Sequence, residues 1–217
     1  NTGTGFFIID HGLAVVDYDM VENCESGFIK FGDDKTYNIK SLVGVDEDLD
    51  IAIIQIDIKK SKGVKTANSN KVSIAEKVYT IGYSSSSESS LAETLISKVN
   101  YSNKNKYFQI LTTSARDGSV LVNEQGKVVG MISDRYSGDA GFDVAIPINN
   151  IKNIKRKYKV TLKEYYEMHK TFYFYSEFHD YTKEYVVGEK IEPLELSSKG
   201  YSFDGWYTDE TYTTKFD

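Results

Sequence analysis

The sequence has a single cysteine, Cys24, and so cannot form an intramolecular disulfide bond. It has only two prolines, and its content of 40% hydrophobic and 13% aromatic residues excludes a collagen-like or wholly disordered chain. No apolar run reaches the roughly 18 residues that a membrane-spanning helix needs. The sequence therefore predicts a globular protein held together by packing, with no membrane span. One cysteine suits either a cytosolic protein or a secreted protein from a cysteine-poor lineage.

The net charge of −6 is unevenly distributed along the chain. Residues 151–170 carry seven basic and two acidic side chains, and acidic side chains predominate on both sides of this segment. A basic strip can bind nucleic acid, but no aromatic stacking pattern accompanies this one. We therefore expect a solvated surface here and no nucleic-acid partner.

The first 147 residues are short runs rich in Val, Ile, Tyr and Phe, separated by turn signals. Examples are "GLAVVDY", "DIAIIQI", "KVYTIGY" and "KVVGMIS". Their spacing predicts an all-β sandwich or barrel. The period changes at "PINNIKNIKRKYKV", where we expect a helix from about residue 148, capped by Asn149 or Asn150.

Read in order, residues 3–147 resemble the trypsin-like serine proteases of the bacterial HtrA type. The blocks that carry the resemblance are "GTGFFIID", "GLAVVDYDMVEN", "VGVDEDLDIAIIQI", "VYTIGY", "SARDGSVLVNEQGKVVGMI" and "FDVAIPI". The resemblance implies a chymotrypsin-like double β-barrel with a C-terminal helix, which we place at residues 1–160. It also implies that the family's first strands are missing before Asn1, so we expect the sequence to be a fragment of a longer protein.

The resemblance assigns three aspartates to the positions of the catalytic triad. Asp19 stands in the position of the general-base histidine, Asp50 in that of the orienting aspartate, and Asp117 in that of the nucleophilic serine. A hydroxyl nucleophile needs a base that accepts and returns a proton near neutral pH, and a carboxylate with a pKa of about 4 is poorly matched to that role. We expect an inactive triad. The former oxyanion loop, a candidate binding segment, comprises Ala115, Arg116, Gly118 and Ser119.

If the fold holds, the three aspartates converge, and three like charges must retain a proton, bind a cation or pair with a basic side chain such as Arg116. The cation hypothesis assigns Ca²⁺ or Mg²⁺ to Asp19, Asp50 and Asp117; otherwise we expect no cofactor. The three histidines, at positions 11, 169 and 179, and the thiol of Cys24 are expected to play no catalytic part.

Residues 161–217 are predicted to be a linker and a second, small β module. The stretch "GYSFDGWYTDETYTTKFD" closely resembles the Listeria-Bacteroides repeat, the B-repeat type of internalin-like surface proteins. That resemblance implies a β-grasp-like module that continues beyond Asp217. It also implies an extracellular or cell-surface location on a bacterium.

Together these patterns favour a pseudoprotease, a catalytically inactive trypsin-like domain that binds a peptide or protein ligand in its former substrate cleft. One alternative is a hydrolase or peptidase with rearranged carboxylate- or cation-dependent chemistry at low pH. Another is a purely structural spacer. An open cleft beside Asp117 would favour the binding module over the spacer.

Overall fold

The computed structural model describes residues 2–31, 35–83, 89–102, 105–111, 117–134, 141–174, 181–186, 204–208 and 215. Two compact units, Asn1–Glu164 and Tyr165–Asp217, make up the chain. No helix within the described ranges combines the length and the apolar character that crossing a bilayer requires. The first unit contains all three predicted triad positions.

Five antiparallel strands form the first sheet of unit 1, a half-barrel with strand order β1-β2-β5-β4-β3. The strands are β1 (Phe6–Ile9), β2 (Leu13–Asp17), β3 (Phe28–Phe31), β4 (Lys35–Asp46) and β5 (Ile51–Ile56). Strand β2 is buried along its whole length, and β5 is buried apart from Gln55. This pattern follows from their nearly continuous Val, Ile, Leu and Ala content, which suits strands covered on both faces.

Six strands close into a barrel in the second half of unit 1, in the order β10-β11-β8-β7-β6-β9. They are β6 (Lys77–Tyr83), β7 (Ser89–Ser102), β8 (Asn105–Leu111), β9 (Val120–Asn123), β10 (Val128–Ser133) and β11 (Phe142–Pro147). Its interior is filled by a cluster around Phe108, which is fully buried. A second apolar cluster joins residues of the half-barrel, such as Val15 and Ile53, to Met131 and Ile146 of the closed barrel. The predicted double barrel is confirmed.

The helix expected from residue 148 is present as α1 (Ile148–Asn153), but the predicted asparagine cap is wrong. Pro147 occupies the N-cap position and offers no side-chain acceptor. The Asn149 side chain instead donates to Asn68 Oδ1, and that of Asn150 donates to the Lys106 carbonyl. Both amides tie the helix to the barrel, a tertiary role that local sequence does not reveal.

The second unit contains a β-hairpin. Helix α2 (Leu162–Met168) ends at β12 (His169–Phe174), which pairs with β13 (Tyr181–Val186) in a two-stranded antiparallel sheet. Further along, Tyr207 forms an isolated bridge with Lys215, and Trp206 is buried. The assignment of this unit to a repeat module stays a prediction.

Candidate functional site: an aspartate cluster between the barrels

The three predicted triad positions lie at strand ends in unit 1. Asp19 is in a single 3-10 turn, Tyr18–Met20, directly after β2. Asp50 ends the turn that leads into β5, and two residues separate Asp117 from the start of β9. Asp19 and Asp50 therefore come from the half-barrel and Asp117 from the closed barrel. The three positions therefore lie at the junction of the half-barrel and the closed barrel.

Asp50 fastens the end of β2 to the turn before β5. Its backbone has a positive φ of 55°, a left-handed conformation that Asp and Asn tolerate better than most residues. Its Oδ1 accepts a hydrogen bond from the Asp19 backbone N–H at 3.0 Å, and its carbonyl accepts one from the Tyr18 N–H at 2.9 Å. Asp50 is buried, so its carboxylate is held in a fixed position.

A fourth aspartate, which sequence reasoning missed, joins them. Asp134 follows the last residue of β10, and carboxylate oxygens of Asp19, Asp50 and Asp134 all lie within 4.8 Å of one another. Asp19 and Asp134 are exposed to solvent, whereas Asp50 is buried. The three oxygens therefore come from three separate segments, two with exposed aspartates and one with a buried aspartate.

Asp117 lies next to this group and is partly buried. Burial raises the pKa of its carboxyl group to about 6, and the charge of Asp134 and a hydrogen bond to the Asp134 side chain add to the effect. The Asp117 carbonyl accepts a hydrogen bond from the Thr4 N–H at 3.4 Å. Asp117, which the sequence resemblance assigns to the nucleophile position, therefore has a carboxyl group that shares a hydrogen bond with another carboxyl group.

A fifth aspartate, Asp17, was also missed, and it is the most deeply buried of the set. Its side chain is 1% exposed at the end of β2, and neither carboxyl oxygen has a hydrogen-bond partner within the described part of the chain. Burial raises its pKa to about 9, and the neighbouring charges of the other four aspartates, Asp117 most strongly, raise it further. The alternation of Leu13, Val15 and Asp17 on one face of β2 is the signal that could have found it. Asp17, Asp19, Asp50, Asp117 and Asp134 are called the aspartate cluster below.

Of the predicted binding loop, two residues can be placed. Gly118 is buried with a φ of 78°, and a Cβ there would lie only 1.7 Å from the Thr4 carbonyl oxygen, so only glycine fits. Ser119 is fully buried, with its hydroxyl directed against Gly82 rather than towards solvent. Ala115 and Arg116 lie outside the described residues.

The other reactive side chains lie elsewhere in the structure. His11 is exposed in the turn between β1 and β2. His169 stacks on Tyr165 within the second unit, and His179 lies outside the described residues. The Cys24 thiol is partly buried and donates to the Met20 carbonyl at 3.5 Å. Neither His11 nor Cys24 belongs to the aspartate cluster.

The sequence profile of the trypsin-like peptidase domain matches residues 3–131, more than half of the chain. The chain belongs to the trypsin-like peptidase domain family. The matched range includes four of the five residues of the aspartate cluster. The cluster thus occupies the part of a trypsin-like domain that the sequence resemblance assigned to the triad.

Curated relatives of this trypsin-like domain include two described as probable periplasmic serine endoproteases, DegP-like. The one from Pseudomonas savastanoi pv. phaseolicola is 25% identical over 170 residues, which cover 74% of this chain and 35% of the relative. The one from Hahella chejuensis is 24% identical over 170 residues, covering 74% and 36%. The chain therefore spans about a third of the length of these relatives.

Solved structures similar to the trypsin-like domain include the HtrA-type protease AlgW with a decapeptide and the same protease with a tripeptide. Each superimposes with a TM-score of 0.60 at 18% sequence identity. The superposition covers 68% of this chain and 48% or 52% of the other. At that identity the likeness shows the fold, and the fold is the chymotrypsin-like double barrel predicted from the sequence.

Five carboxyl groups at one junction define what this trypsin-like domain can do chemically. They can hold protons, because burial and mutual repulsion make the neutral forms of Asp17 and Asp117 more stable. They can also bind a hard cation through oxygen atoms. They supply neither a hydroxyl nucleophile nor an imidazole base.

Proposed function

We propose that this chain is a pseudoprotease, a catalytically inactive trypsin-like domain that binds a peptide or protein ligand in its former substrate cleft. The observation that carries the proposal is the grouping of four further aspartates around Asp117, the residue that the sequence resemblance assigns to the nucleophile position. The relatives are described as endoproteases, so the proposal is that this chain has kept their fold and lost their reaction.

The chemistry of acyl transfer supports inactivity. A serine protease needs a hydroxyl that attacks the scissile carbonyl and a base near pKa 7 that moves its proton to the leaving amine. Asp117 offers a carboxyl group in place of the hydroxyl, and no histidine of the sequence lies between His11 and His169. Ser119, the nearest described serine, is fully buried and directed against Gly82.

The charge of the site opposes the reaction as well. Peptide hydrolysis passes through an intermediate with a developing oxyanion, which positive or hydrogen-bond-donating groups stabilise. The aspartate cluster groups several carboxyl groups around the residue that the resemblance assigns to the nucleophile position, and each ionised carboxylate raises the energy of a nearby oxyanion. The same charges favour a ligand that carries lysine or arginine.

A bound peptide remains compatible with the fold. The AlgW structures contain a decapeptide and a tripeptide, so domains of this fold accommodate short peptides. An extended peptide can pair with an exposed strand edge through backbone hydrogen bonds that do not depend on catalytic side chains. Loss of the triad therefore need not abolish ligand binding.

We further propose a bacterial envelope or extracellular location, as part of a modular protein. The relatives are described as periplasmic, and the sequence of residues 200–217, within the second unit, resembles the Listeria-Bacteroides repeat. In that unit Trp206 is buried beside the Tyr207–Lys215 bridge, and Asp204 interacts with both Tyr207 and Lys215. An aromatic plug next to a strand pair supports the proposed repeat module.

The test of ligand binding pans a phage-displayed random peptide library on the immobilised chain. Selected peptides are then synthesised and titrated by fluorescence anisotropy against wild type, Asp117→Lys and Asp57→Lys. Asp57 is exposed and follows β5 at the end opposite to Asp50, roughly 20 Å away along the strand, so it is the matched control.

We expect the selected peptides to be basic. Their affinity for the chain should fall at high salt, because salt screens the complementary charges. Asp117→Lys should weaken binding by roughly tenfold or more, whereas Asp57→Lys should change it less than about twofold. Equal binding by wild type and Asp117→Lys would place the ligand elsewhere and contradict the proposal. Absence of any selected peptide would favour the structural spacer.

One observation favours a second candidate function, an acid-dependent hydrolase. Asp117 has a pKa of about 6 and shares a hydrogen bond with Asp134. Two carboxyl groups that share a proton can serve as an acid and a base in hydrolysis. This candidate predicts peptide cleavage that increases as pH falls through about 6 and disappears in the Asp117→Asn variant.

A further inference from the structure

Carboxylate oxygens of Asp19, Asp50 and Asp134 are spaced as the ligands of one metal ion are spaced. All three oxygens lie within 4.8 Å of one another. Opposite ligands of Ca²⁺ lie about 4.6–5.2 Å apart, because each metal–oxygen distance is about 2.3–2.6 Å. For Mg²⁺ the corresponding separation is about 4.0–4.2 Å, which is more restrictive. The 4.8 Å limit admits either ion, and Ca²⁺ is the better fit because it accepts irregular oxygen coordination, whereas Mg²⁺ requires a near-ideal octahedron.

The backbone arranges two of these three residues before any ion binds. The Asp19 N–H donates to Asp50 Oδ1, and the Tyr18 N–H donates to the Asp50 carbonyl, so the Asp19 turn and the Asp50 turn are fixed to each other. Asp134 extends from β10, which is paired on both sides with β9 and β11. Asp19 and Asp134 are exposed to solvent, whereas Asp50 is buried.

Asp17 gives a second, independent indication of a cation. Its carboxyl group is 1% exposed, and neither oxygen has a hydrogen-bond partner in the described ranges. Buried polar groups without partners are rare, and each one needs an explanation such as an ion or water that binds nearby. Asp17 ends β2 two residues before Asp19, and a Cβ on Gly118 would lie 3.2 Å from Asp17 Oδ2, so the Asp17 carboxyl group lies beside the segments that carry Asp19 and Asp117.

From this geometry we infer that the site formed by Asp19, Asp50 and Asp134 binds one Ca²⁺ ion. The hypothesis made from sequence used Asp117 as the third ligand, whereas the structure brings Asp134 to the other two and leaves Asp117 adjacent. Ca²⁺ sites in extracellular modules have dissociation constants of about 10⁻⁴–10⁻³ M, and we expect an affinity in that range here. The inference goes beyond peptide binding and does not depend on it.

The test measures Ca²⁺ binding to the full chain after treatment with a chelator and dialysis. Isothermal titration calorimetry with CaCl₂ and, separately, MgCl₂ gives the stoichiometry and affinity, and circular dichroism checks that each variant is folded. The variants are Asp19→Asn and Asp134→Asn, which change exposed ligands and keep the side-chain size. Asp57→Asn is the control, because Asp57 is an exposed aspartate at the opposite end of β5.

We expect one Ca²⁺ per chain, weaker binding of Mg²⁺, and a loss of Ca²⁺ affinity of at least about tenfold in Asp19→Asn and Asp134→Asn. Asp57→Asn should bind like wild type. Terbium luminescence sensitised by tyrosine gives a second readout, because Tyr18 lies next to Asp19 in the same turn. Three results would each overturn the inference. They are no saturable Ca²⁺ binding up to about 10 mM, tighter binding of Mg²⁺ than of Ca²⁺, and Ca²⁺ binding by the folded Asp19→Asn and Asp134→Asn variants that equals that of wild type.

Discussion

The buried carboxyl group of Asp17 should make the trypsin-like unit less stable as pH rises through the neutral range. The folded chain holds a proton on Asp17 up to a pKa of about 9, whereas the unfolded chain releases it near the ordinary value of 3.8. Between these values the folded state binds one proton more than the unfolded state. The free energy of unfolding therefore falls with increasing pH across this window, and the contribution is complete below pH 3.8 and absent above about 9.

The size of this pH effect on the free energy of unfolding follows from the one additional proton that the folded state binds. One bound proton changes the free energy of unfolding by about 1.4 kcal/mol per pH unit, so the loss between pH 6.5 and 8.5 is about 2.7 kcal/mol. This window lies above the pKa of about 6 of Asp117, so titration of Asp117 adds little there. A loss of that size is a large fraction of the roughly 5–15 kcal/mol that stabilises an ordinary domain.

The assay is urea denaturation followed by far-ultraviolet circular dichroism at several pH values from 6.5 to 8.5, with a chelator present to remove divalent cations. Asp17→Asn is compared with wild type and with the exposed control Asp57→Asn. Asp17→Asn removes the titrating group and keeps the shape of the side chain. The pH dependence of the free energy of unfolding should therefore be smaller in this variant than in wild type, by about 1.4 kcal/mol per pH unit. Parallel profiles for wild type and Asp17→Asn would refute the reasoning.

Two further comparisons test the fold around the site. Gly118→Ala should destabilise the protein by roughly 3 kcal/mol or more, because the new Cβ would collide with the Thr4 carbonyl. Gly126 also has a positive φ, but no atom lies within 4 Å of the position that an added Cβ would take, so Gly126→Ala should destabilise the protein by only about 1–2 kcal/mol. Phe108→Ala should cost about 3–5 kcal/mol from a fully buried site, whereas Phe28→Ala, 67% exposed, should cost less than about 1 kcal/mol. Urea denaturation measures all four, and equal losses within either pair would contradict the described packing.

Much of the fold could be predicted from the sequence because it rests on local patterns. Strand-like runs such as "DIAIIQI" appear where the structure has strands, and the aspartate that begins this run, Asp50, lies at the junction of the barrels. The change of period near residue 148 located α1. These signals are short-range and depend on side-chain alternation, so one sequence is sufficient to show them.

The composition of the site was harder to predict because it depends on distant contacts. Asp134 reaches the site only because the closed barrel brings the end of β10 to the turns that contain Asp19 and Asp50. Asp17 has no motif of its own, although its alternation with Leu13 and Val15 along β2 is a pattern that could have singled it out. Asn149 shows the same limit, since its side chain binds Asn68 instead of capping the helix.

Proteolysis of a peptide library, read by mass spectrometry from pH 4 to 8 with and without Ca²⁺, tests the central proposal most directly. Wild type is compared with Asp117→Ala, and a catalytically active DegP-like relative serves as the positive control. The proposal of a pseudoprotease predicts that the relative cleaves the library while wild type and Asp117→Ala both leave it intact at every pH. Cleavage by wild type that is lost in Asp117→Ala would show that the aspartate cluster is catalytic and would contradict the proposal.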